Sequence, residues 1–301
     1  MIICCGEALI DMLPRETPAG EAAFAPYAGG AVFNTAIALG RLGSDVQFFC
    51  GLSSDLFGEQ LRSVLADSKV DSSPSYISDR PTTLAFVRLT NGHATYAFYD
   101  ENTAGRMLTA ADLPDISADA LFFGGISLVV EPCGEAYKAL MLREAPTRLT
   151  MIDPNIRPGF ITDEAAYRAR LNAMLAVADI VKISDEDLTW LTGNADGSSL
   201  LNGSDTQVVL MTKGAEGATI ITRRGQFDVP AIKATVVDTV GAGDTFNAGF
   251  LAGLDQAGLL SKDGVANASD DQLRTAAALG AQSSAITVAR AGANPPWAHE
   301  L

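Results

Sequence analysis

The chain has 301 residues, of which 48% are hydrophobic and 19% are charged, as in average globular proteins. Its 36 acidic residues outnumber its 21 basic residues, which gives a net charge of −15 at pH 7. This charge argues against binding to nucleic acid or to an anionic membrane surface, since either partner requires an excess of Lys and Arg. With only two His residues, a His-based metal site or a Ser-His-Asp triad is also disfavoured.

The cysteines and the start of the chain indicate a cytoplasmic location. Four Cys residues occur without Cys-x-x-Cys spacing, so we interpret them as buried free thiols of a reducing compartment. Two of them, Cys4 and Cys5, are expected on opposite faces of one strand. No basic segment followed by a long apolar segment is present, and no run approaches the roughly 20 apolar residues that span a bilayer. We therefore expect neither export nor membrane insertion.

Short apolar runs alternate with longer helical stretches along the chain. The predicted strands are residues 2–5, 47–51, 120–124, 150–153, 180–183 and 207–212. The predicted helices are residues 34–42, 57–67, 135–144, 165–178, 185–191, 245–257 and 271–287. This alternation predicts an α/β fold, a mostly parallel sheet flanked by helices, with ligands bound beyond the carboxyl ends of the strands.

A glycine pair, Gly29 and Gly30, precedes the first predicted helix. A buried helix accounts for the Ala and Leu residues that follow, but not for the Gly-Gly-x-x-x-Asn start that ends at Asn34. Asn34 could also be a helix cap, and a cap and a ligand contact are compatible. The start of this helix is therefore a candidate binding element.

Residues 76–99 have the pattern of a β-hairpin. Two runs rich in β-branched and aromatic residues, 82–89 and 94–99, flank the pair Asn91-Gly92. Such a pair between strand-like runs is a strong hairpin signal. No internal repeat or low-complexity segment is evident elsewhere.

Residues 237–246 form the most informative run. Gly241, Ala242 and Gly243 let the backbone turn tightly, and the free N–H groups of the following helix then suit a phosphate. Asp244 would repel a phosphate, so we expect it to accept a proton from a nucleophile that attacks the phosphate. The alternative is a strand-to-helix turn that Asp244 merely caps. The run therefore favours phosphoryl transfer.

Other phosphate-binding motifs do not fit the chain. No Gly-x-x-x-x-Gly-Lys-Ser/Thr sequence occurs, so a P-loop is not expected. The dinucleotide fingerprint lacks its third glycine, because Asn247 follows Phe246.

Together, the Gly-Gly…Asn start and the Asp-Thr-x-Gly-Ala-Gly-Asp run resemble the ribokinase-like (PfkB) sugar kinase family. The resemblance extends from Gly6 to about Pro296, and the Asp-Pro-Asn-Ile-Arg-Pro run at 153–158 is similar to the form found in fructokinases. It implies a single ribokinase-like domain over residues 1–301, with a small β-sheet lid inserted from about 12–28 and 76–106. A hairpin at the edge of the main sheet is the alternative to this lid.

The resemblance also implies roles for individual residues. Those implied in sugar binding are Asp11, Gly29, Gly30, Asn34, Phe98 and Arg157. Those implied in ATP binding are Lys182, Ser184, Thr212, Gly214, Gly217 and Gly243. Those implied in catalysis are Asp244 as the base, with Gly241, Ala242 and Gly243 at the phosphoryl group.

Several of these assignments have alternatives. Asp11 taken alone would be a turn or cap residue. Phe98 is preferred to Phe86 as the aromatic residue that closes over the sugar. Arg157 could bind sugar oxygens, steady the γ-phosphate or form a surface salt bridge.

The resemblance implies ATP and Mg²⁺ as cofactors and adds K⁺ as a further candidate. Where the family has Asn-x-x-Glu, this chain has Ser184 and Asp187. Asp187 could hold Mg²⁺ through water, whereas a helix cap with acidic first-turn residues explains the same pattern. The loop at 288–294 and the strand before Asp238 are similar to segments that hold a monovalent cation in relatives, although Pro296 stands where relatives have a hydroxyl.

The implied function is that of a fructokinase, which converts MgATP and D-fructose to ADP and a fructose monophosphate, with a homodimer formed through the lid. A 2-keto-3-deoxygluconate kinase is the closest rival, and it would need a cation for the substrate carboxylate, with Arg88, Arg106 and Arg157 as candidates. A non-catalytic sugar sensor is a second rival, against which the intact Asp244 argues. A Rossmann oxidoreductase is the third, weakened by the missing glycine.

Overall fold

The computed structural model describes residues 1–90 and 93–301, and the side chains of these residues except 88–90 and 93–96. The helices are α1 Ala31–Leu42, α2 Leu56–Asp67, α3 Cys133–Glu144, α4 Glu164–Val177, α5 Asp185–Thr192, α6 Ala242–Gln256, α7 Lys262–Asn267 and α8 Asp270–Val288. The strands are β1 Ile2–Cys5, β2 Leu9–Glu16, β3 Ala22–Gly29, β4 Val46–Phe49, β5 Gly51–Ser53, β6 Val70–Asp71, β7 Tyr76–Ser78, β8 Leu84–Thr90, β9 His93–Tyr99, β10 Ala120–Gly124, β11 Leu149–Asp153, β12 Ile180–Ser184, β13 Val208–Thr212, β14 Ala218–Thr222 and β15 Gly225–Val229. The predicted turn at Asn91-Gly92 lies outside the described residues.

The main sheet has the order β15-β14-β13-β12-β11-β10-β1-β4-β6. The strands from β13 to β6 pair in parallel, and β14 and β15 add antiparallel pairs at one edge. The predicted mostly parallel sheet is therefore confirmed. The carboxyl ends of its parallel strands all lie on one side of the sheet, called here the carboxyl edge, where the loops after β1, β10, β11 and β12 meet.

The two faces of the main sheet bury separate apolar cores. In β1, Ile2 and Cys4 pack with residues of α1, α6 and α8, whereas Ile3 and Cys5 pack with residues of α3, α4 and α5. This alternation follows from the two-residue period of a strand. All four cysteines are free and buried, as predicted, because they fill these cores.

A second, four-stranded sheet has the order β3-β2-β8-β9. In it β2 pairs with β3 and β8 with β9 as antiparallel neighbours, while β2 and β8 are parallel. The alternative of a hairpin at the edge of the main sheet is therefore wrong, since β8 pairs with β2. β7, within the predicted lid segments, pairs instead with β5 in a small sheet of its own. The boundaries of the lid stay a prediction.

Several element boundaries differ from the prediction. Helix α1 begins at Ala31, because Gly30 takes a positive φ of 113° and serves as its N-cap. The strand predicted at 47–51 is divided at Cys50 into β4 and β5. The antiparallel pair β14–β15 and the short α7 had no clear periodic signal. None of the helices in the described part of the chain is long and apolar enough to cross a bilayer.

Candidate active site

The two glycine-containing motifs meet at the carboxyl edge of the main sheet. Asn34 in α1 donates a hydrogen bond from Nδ2 to Oδ2 of Asp244 in α6, over 2.9 Å, although the two residues are 210 positions apart. Thr35 donates from its hydroxyl to the main-chain oxygen of Asp244 over 3.3 Å. The fold therefore brings the two motifs together.

Helix α6 begins without a side-chain cap. Its N-cap is Gly241, in the left-handed conformation with φ 80°. A Cβ on Gly241 would lie 2.7 Å from Cβ of Ala293, so both backbone geometry and packing require glycine here. Asp244 lies within the first turn, and the alternative in which it caps the helix is wrong. The Ala242 N–H donates to the main-chain oxygen of Thr239 over 3.3 Å, whereas the N–H groups of Gly243 and Asp244 lack intrahelical acceptors, as at any helix start.

The surroundings of Asp244 raise the pKa of its carboxyl group. Its side chain is buried, and burial raises its pKa to about 7, while the hydrogen bond from Asn34 lowers it and the charge of Asp153 raises it. A carboxylate with a pKa near the working pH is well matched to proton transfer. A buried carboxylate with this pKa can accept a proton from a hydroxyl.

Asp11 and the glycine pair form a second polar patch. Burial raises the pKa of Asp11 to about 6. A Cβ on Gly29 would collide with Oδ2 of Asp11, and a Cβ on Gly30 would lie 2.9 Å from the main-chain oxygen of Glu7. Gly30 is therefore required by its positive φ of 113° and by its contact with the main chain of Glu7, while the absence of a side chain at Gly29 leaves room for the Asp11 carboxylate. Asp11 is the third residue of strand β2 rather than a turn residue, so the turn alternative is wrong.

Phe98 lies on the same face of the small sheet as Asp11. Asp11 is in register with Ala85, and Ala85 is in register with Phe98, and residues directly opposite each other share a face. Phe98 also packs edge-on against Phe160, with ring centroids 4.2 Å apart. The adjacent Phe86 belongs to the other face.

Arg157 is exposed on the loop after β11. Its Nη1 donates to the main-chain oxygen of Ile156 over 3.0 Å. This contact fixes the guanidinium locally and selects none of the three roles considered for it.

A buried polar cluster at the same edge was not predicted as a whole. Lys182 forms a 3.0 Å ion pair through Nζ with Oδ2 of Asp153, and Asn247 donates from Nδ2 to the same oxygen over 2.7 Å. A Cβ on Gly243 would lie 3.1 Å from Nζ of Lys182, so the ammonium lies against the start of α6. The remaining oxygens, Oδ1 of Asp153 and Oδ1 of Asn247, are buried without a hydrogen-bond partner.

Two members of this cluster, Asp153 and Asn247, were absent from the predicted site. Asn247 follows Asp244 by three positions and so shares its helix face, and Asp153 ends a central strand where ligands bind. These two signals could have identified them.

Ser184 and Asp187 lie at the start of α5. The Ser184 hydroxyl accepts a hydrogen bond from the Asp187 N–H over 3.0 Å and caps the helix. Burial raises the pKa of Asp187, as does the charge of Asp153, and Lys182 opposes this rise. The helix-cap alternative is thus correct for Ser184, while the Asp187 carboxyl still faces the Asp153–Lys182 pair.

The turn between β13 and β14 contains Thr212, Gly214 and Gly217. Thr212 is in register with Ser184, which places the turn beside the start of α5. Gly214 and Gly217 have φ values of 52° and 96°. A Cβ on Gly217 would collide with the main-chain oxygen of Val229, whereas Gly214 borders open space. This turn can therefore border a ligand on the Gly214 side.

Asp238 lies in the loop before α6 and accepts two main-chain hydrogen bonds. Its Oδ1 accepts from the Val240 N–H over 3.0 Å, and its Oδ2 accepts from the Gly292 N–H over 2.9 Å. It thereby links this loop to the C-terminal segment that packs on Gly241. Its proposed contact with a monovalent cation stays a prediction.

Known proteins match this chain over nearly its whole length. Residues 1–300 match the family described as pfkB family carbohydrate kinase. A fructokinase of Rhizobium leguminosarum bv. trifolii is 57% identical over 91% of this chain and 86% of its own length. The structure of a fructokinase from Xylella fastidiosa with bound ATP superposes with a TM-score of 0.87 at 31% identity, covering 97% of this chain and 93% of that one.

A fructokinase from Vibrio cholerae O395, solved with fructose, ADP and calcium ion, has a TM-score of 0.83 at 25% identity, covering 97% and 94% of the two chains. The fold is thus ribokinase-like, and the Rossmann oxidoreductase alternative is wrong. The chain, with its Gly-Gly…Asn loop hydrogen-bonded to the aspartate of its Gly-Ala-Gly-Asp turn, belongs to the pfkB family of carbohydrate kinases.

Proposed function

We propose that this kinase is a fructokinase, which transfers the terminal phosphoryl group of ATP to a hydroxyl of D-fructose. The observation that carries the proposal is the buried Asp244 carboxylate, held by Asn34 at the start of α6. A sugar sensor would have no use for a base at a phosphate site. Fructose is chosen because the relative that is 57% identical is a fructokinase.

In this proposal the site residues have different roles in phosphoryl transfer. Asp11, the Gly29–Gly30 loop and Asn34 hold sugar hydroxyls, and Asp244 takes the proton from the attacking hydroxyl. The N–H groups of Gly243 and Asp244 at the start of α6 and the Lys182 ammonium stabilise the negative charge of the transferring phosphoryl group. Because the whole chain carries a charge of −15, this local positive potential is needed to bind a nucleotide.

The oxygen-rich surroundings of Lys182 fit a magnesium ion. Mg²⁺ prefers oxygen ligands, keeps several waters and usually binds through one or two carboxylates and the substrate phosphates. The buried Asp187 and the unpartnered oxygens of Asp153 and Asn247 would hold such an ion through water. When bound, the ion neutralises charge on the phosphates. Among the described residues, no three His, Cys, Asp or Glu side chains form a metal cluster.

One of the three arginine candidates for binding a sugar acid, Arg106, is already engaged by other groups. Arg106 already pairs with Asp100 over 3.0 Å and donates to the main-chain oxygen of Glu131. Arg157 is exposed, and the Arg88 side chain lies outside the described part. A keto-acid kinase would need a guanidinium free for the substrate carboxylate.

Fructose should exceed 2-keto-3-deoxygluconate in kcat/KM by at least about tenfold, a difference of about 1.4 kcal/mol in transition-state binding. A coupled ADP-release assay over fructose, ribose, tagatose, adenosine and the keto acid measures this ratio. An Asp244→Asn preparation purified in parallel reports any contaminating kinase. The reverse order would place the protein in the keto-acid branch, with the kinase mechanism unchanged.

Replacing Asp11 or Asn34 with Ala should raise the sugar KM at least about tenfold and leave the ATP KM within about twofold, because sugar hydroxyls lose partners. Steady-state kinetics with each substrate varied in turn measures both constants. Asp163→Ala, which removes the surface cap of α4, is the control and should change neither constant. Equal increases in both constants would indicate general damage and reject the sugar-binding assignment.

The small sheet also carries an aromatic row on its other face. Phe86 packs edge-on between Phe24 and Tyr99, with ring centroids 5.0 and 5.4 Å away. Phe24 and Tyr99 are exposed. A homodimer formed through this sheet stays a prediction.

A further inference from the structure

The carboxylate of Glu7 joins three segments at the edge of the active site. Glu7 follows β1, and its side chain is buried. Its Oε1 accepts hydrogen bonds from the main-chain N–H groups of Ala31 over 2.8 Å and Val32 over 3.4 Å. Its Oε2 accepts from the N–H of Ser127 over 3.2 Å. One side chain thus links the end of β1, the start of α1 and the turn after β10.

Two glycines shape the space around this carboxylate. Gly30 and Gly125 have φ values of 113° and 70°, which L-residues with side chains rarely adopt. A Cβ on Gly30 would press on the main-chain oxygen of Glu7, and a Cβ on Gly125 would collide with both of its carboxylate oxygens. A side chain at either glycine would therefore press on Glu7.

Glu7 also accepts hydrogen bonds from N–H groups in the first turn of α1 that have no side-chain cap. The N-cap of α1 is Gly30, which has no side chain to accept the free N–H groups of that turn. The Glu7 carboxylate accepts two of these N–H groups from 24 and 25 positions away. A negative charge at a helix N-terminus is also favourable to the helix dipole.

The start of α1 is also part of the candidate active site. Asn34 lies one turn after Ala31 and donates to Asp244, and the Gly29–Gly30 loop lies directly before the helix. We infer that Glu7 is a positioning residue for the sugar kinase reaction. It fixes the glycine loop and Asn34 relative to the base Asp244. This inference rests on the proposed function, since it concerns the sugar side of the same site.

Replacing Glu7 with Gln keeps the size of the side chain but puts an amide NH₂ against main-chain N–H donors. We expect the sugar KM to rise and kcat to fall, each at least about tenfold, because a small displacement of positioned groups is costly in rate. The ATP KM should stay within about twofold. Gly125→Ala, which keeps the charge but displaces the carboxylate, should give the same pattern.

Asp179→Asn is the matched control. Asp179 is also a buried carboxylate, and it accepts a hydrogen bond from the main-chain N–H of Thr150 over 2.8 Å. It lies directly before β12, at the amino ends of the parallel strands and so away from the candidate active site. Its loss should lower Tm without changing the ratio of the two KM values. Hydrogen exchange should show faster exchange at residues 31–34 and 126–128 in Glu7→Gln, and unchanged exchange there in Asp179→Asn.

The outcomes separate this inference from the proposed function. Turnover of fructose by the wild-type enzyme tests the proposed function. The positioning role of Glu7 is tested by the sugar KM and kcat of the variant relative to those of the wild type, measured with the best sugar substrate. A Glu7→Gln enzyme with a lower Tm but a sugar KM and kcat within twofold of wild type would overturn the positioning role. Equal rises in both KM values would overturn it as well, because they would reveal only a structural role.

Discussion

Replacing Asp244 with Asn should lower kcat at least about a hundredfold, since proton removal by a placed carboxylate contributes about 10² to 10⁴ in rate. Asn keeps the shape of the side chain, so the sugar KM should stay near the wild-type value. Steady-state kinetics with saturating ATP measures both constants. Asp271→Asn, an exposed acidic residue in the first turn of α8, is the control and should retain full activity. An Asp244→Asn enzyme with more than about a tenth of wild-type kcat would exclude Asp244 as the base.

The protonation of Asp244 gives this variant a second readout. Because the pKa of Asp244 is raised to about 7 in the folded protein and is near 4 in an unfolded chain, the folded state holds its proton to higher pH. The stability associated with this group is present below about pH 4 and is lost as pH rises through 7. Asp244→Asn should therefore melt at a higher temperature than wild type at pH 8, and the difference should disappear near pH 4. In the wild type, kcat/KM should fall below about pH 7, as the base becomes protonated.

The sequence allowed prediction of those parts of the fold that depend on local patterns. The buried parallel strands are short apolar runs, and the glycine pair and the Gly-Ala-Gly-Asp run mark turns that need small residues. The strands β14 and β15 were missed as separate elements. In β15, exposed and partly buried residues alternate only weakly, and α7 has just six residues.

The parts of the site that escaped prediction depend on contacts between distant segments. Asn247 reaches Asp153 across 94 positions, and Glu7 reaches Ser127 across 120 positions. No periodicity within a single element indicates such partners. Asn247 was considered only as a missing glycine, although its position one turn after Asp244 placed it on the same face of α6. The family resemblance located Lys182 but not the carboxylate that holds it.

Replacing Lys182 with Met should lower kcat/KM for ATP about a hundredfold, because the ammonium at the start of α6 then no longer balances phosphate charge. It should also destabilise the fold by about 3–5 kcal/mol, as removal of one partner from a buried ion pair leaves Asp153 uncompensated. Coupled assays measure the first effect, and urea unfolding measures the second. Lys262→Met is the matched control, since Lys262 pairs with the buried Asp179 over 2.6 Å at the opposite edge of the sheet. That variant should lose stability and keep kcat/KM.

A double variant separates these two contributions of Lys182. Adding Asp153→Asn to Lys182→Met removes the uncompensated charge, so the free energy of unfolding should return part of the way to the wild-type value. The rate should remain low, because the positive charge beside Gly243 is still missing. Recovery of kcat/KM to within about threefold of wild type would mean that Lys182 serves only to neutralise Asp153. The negative charge of the phosphoryl group would then be stabilised only by the start of α6 and a bound cation. Lys182 would no longer be assigned to the nucleotide site.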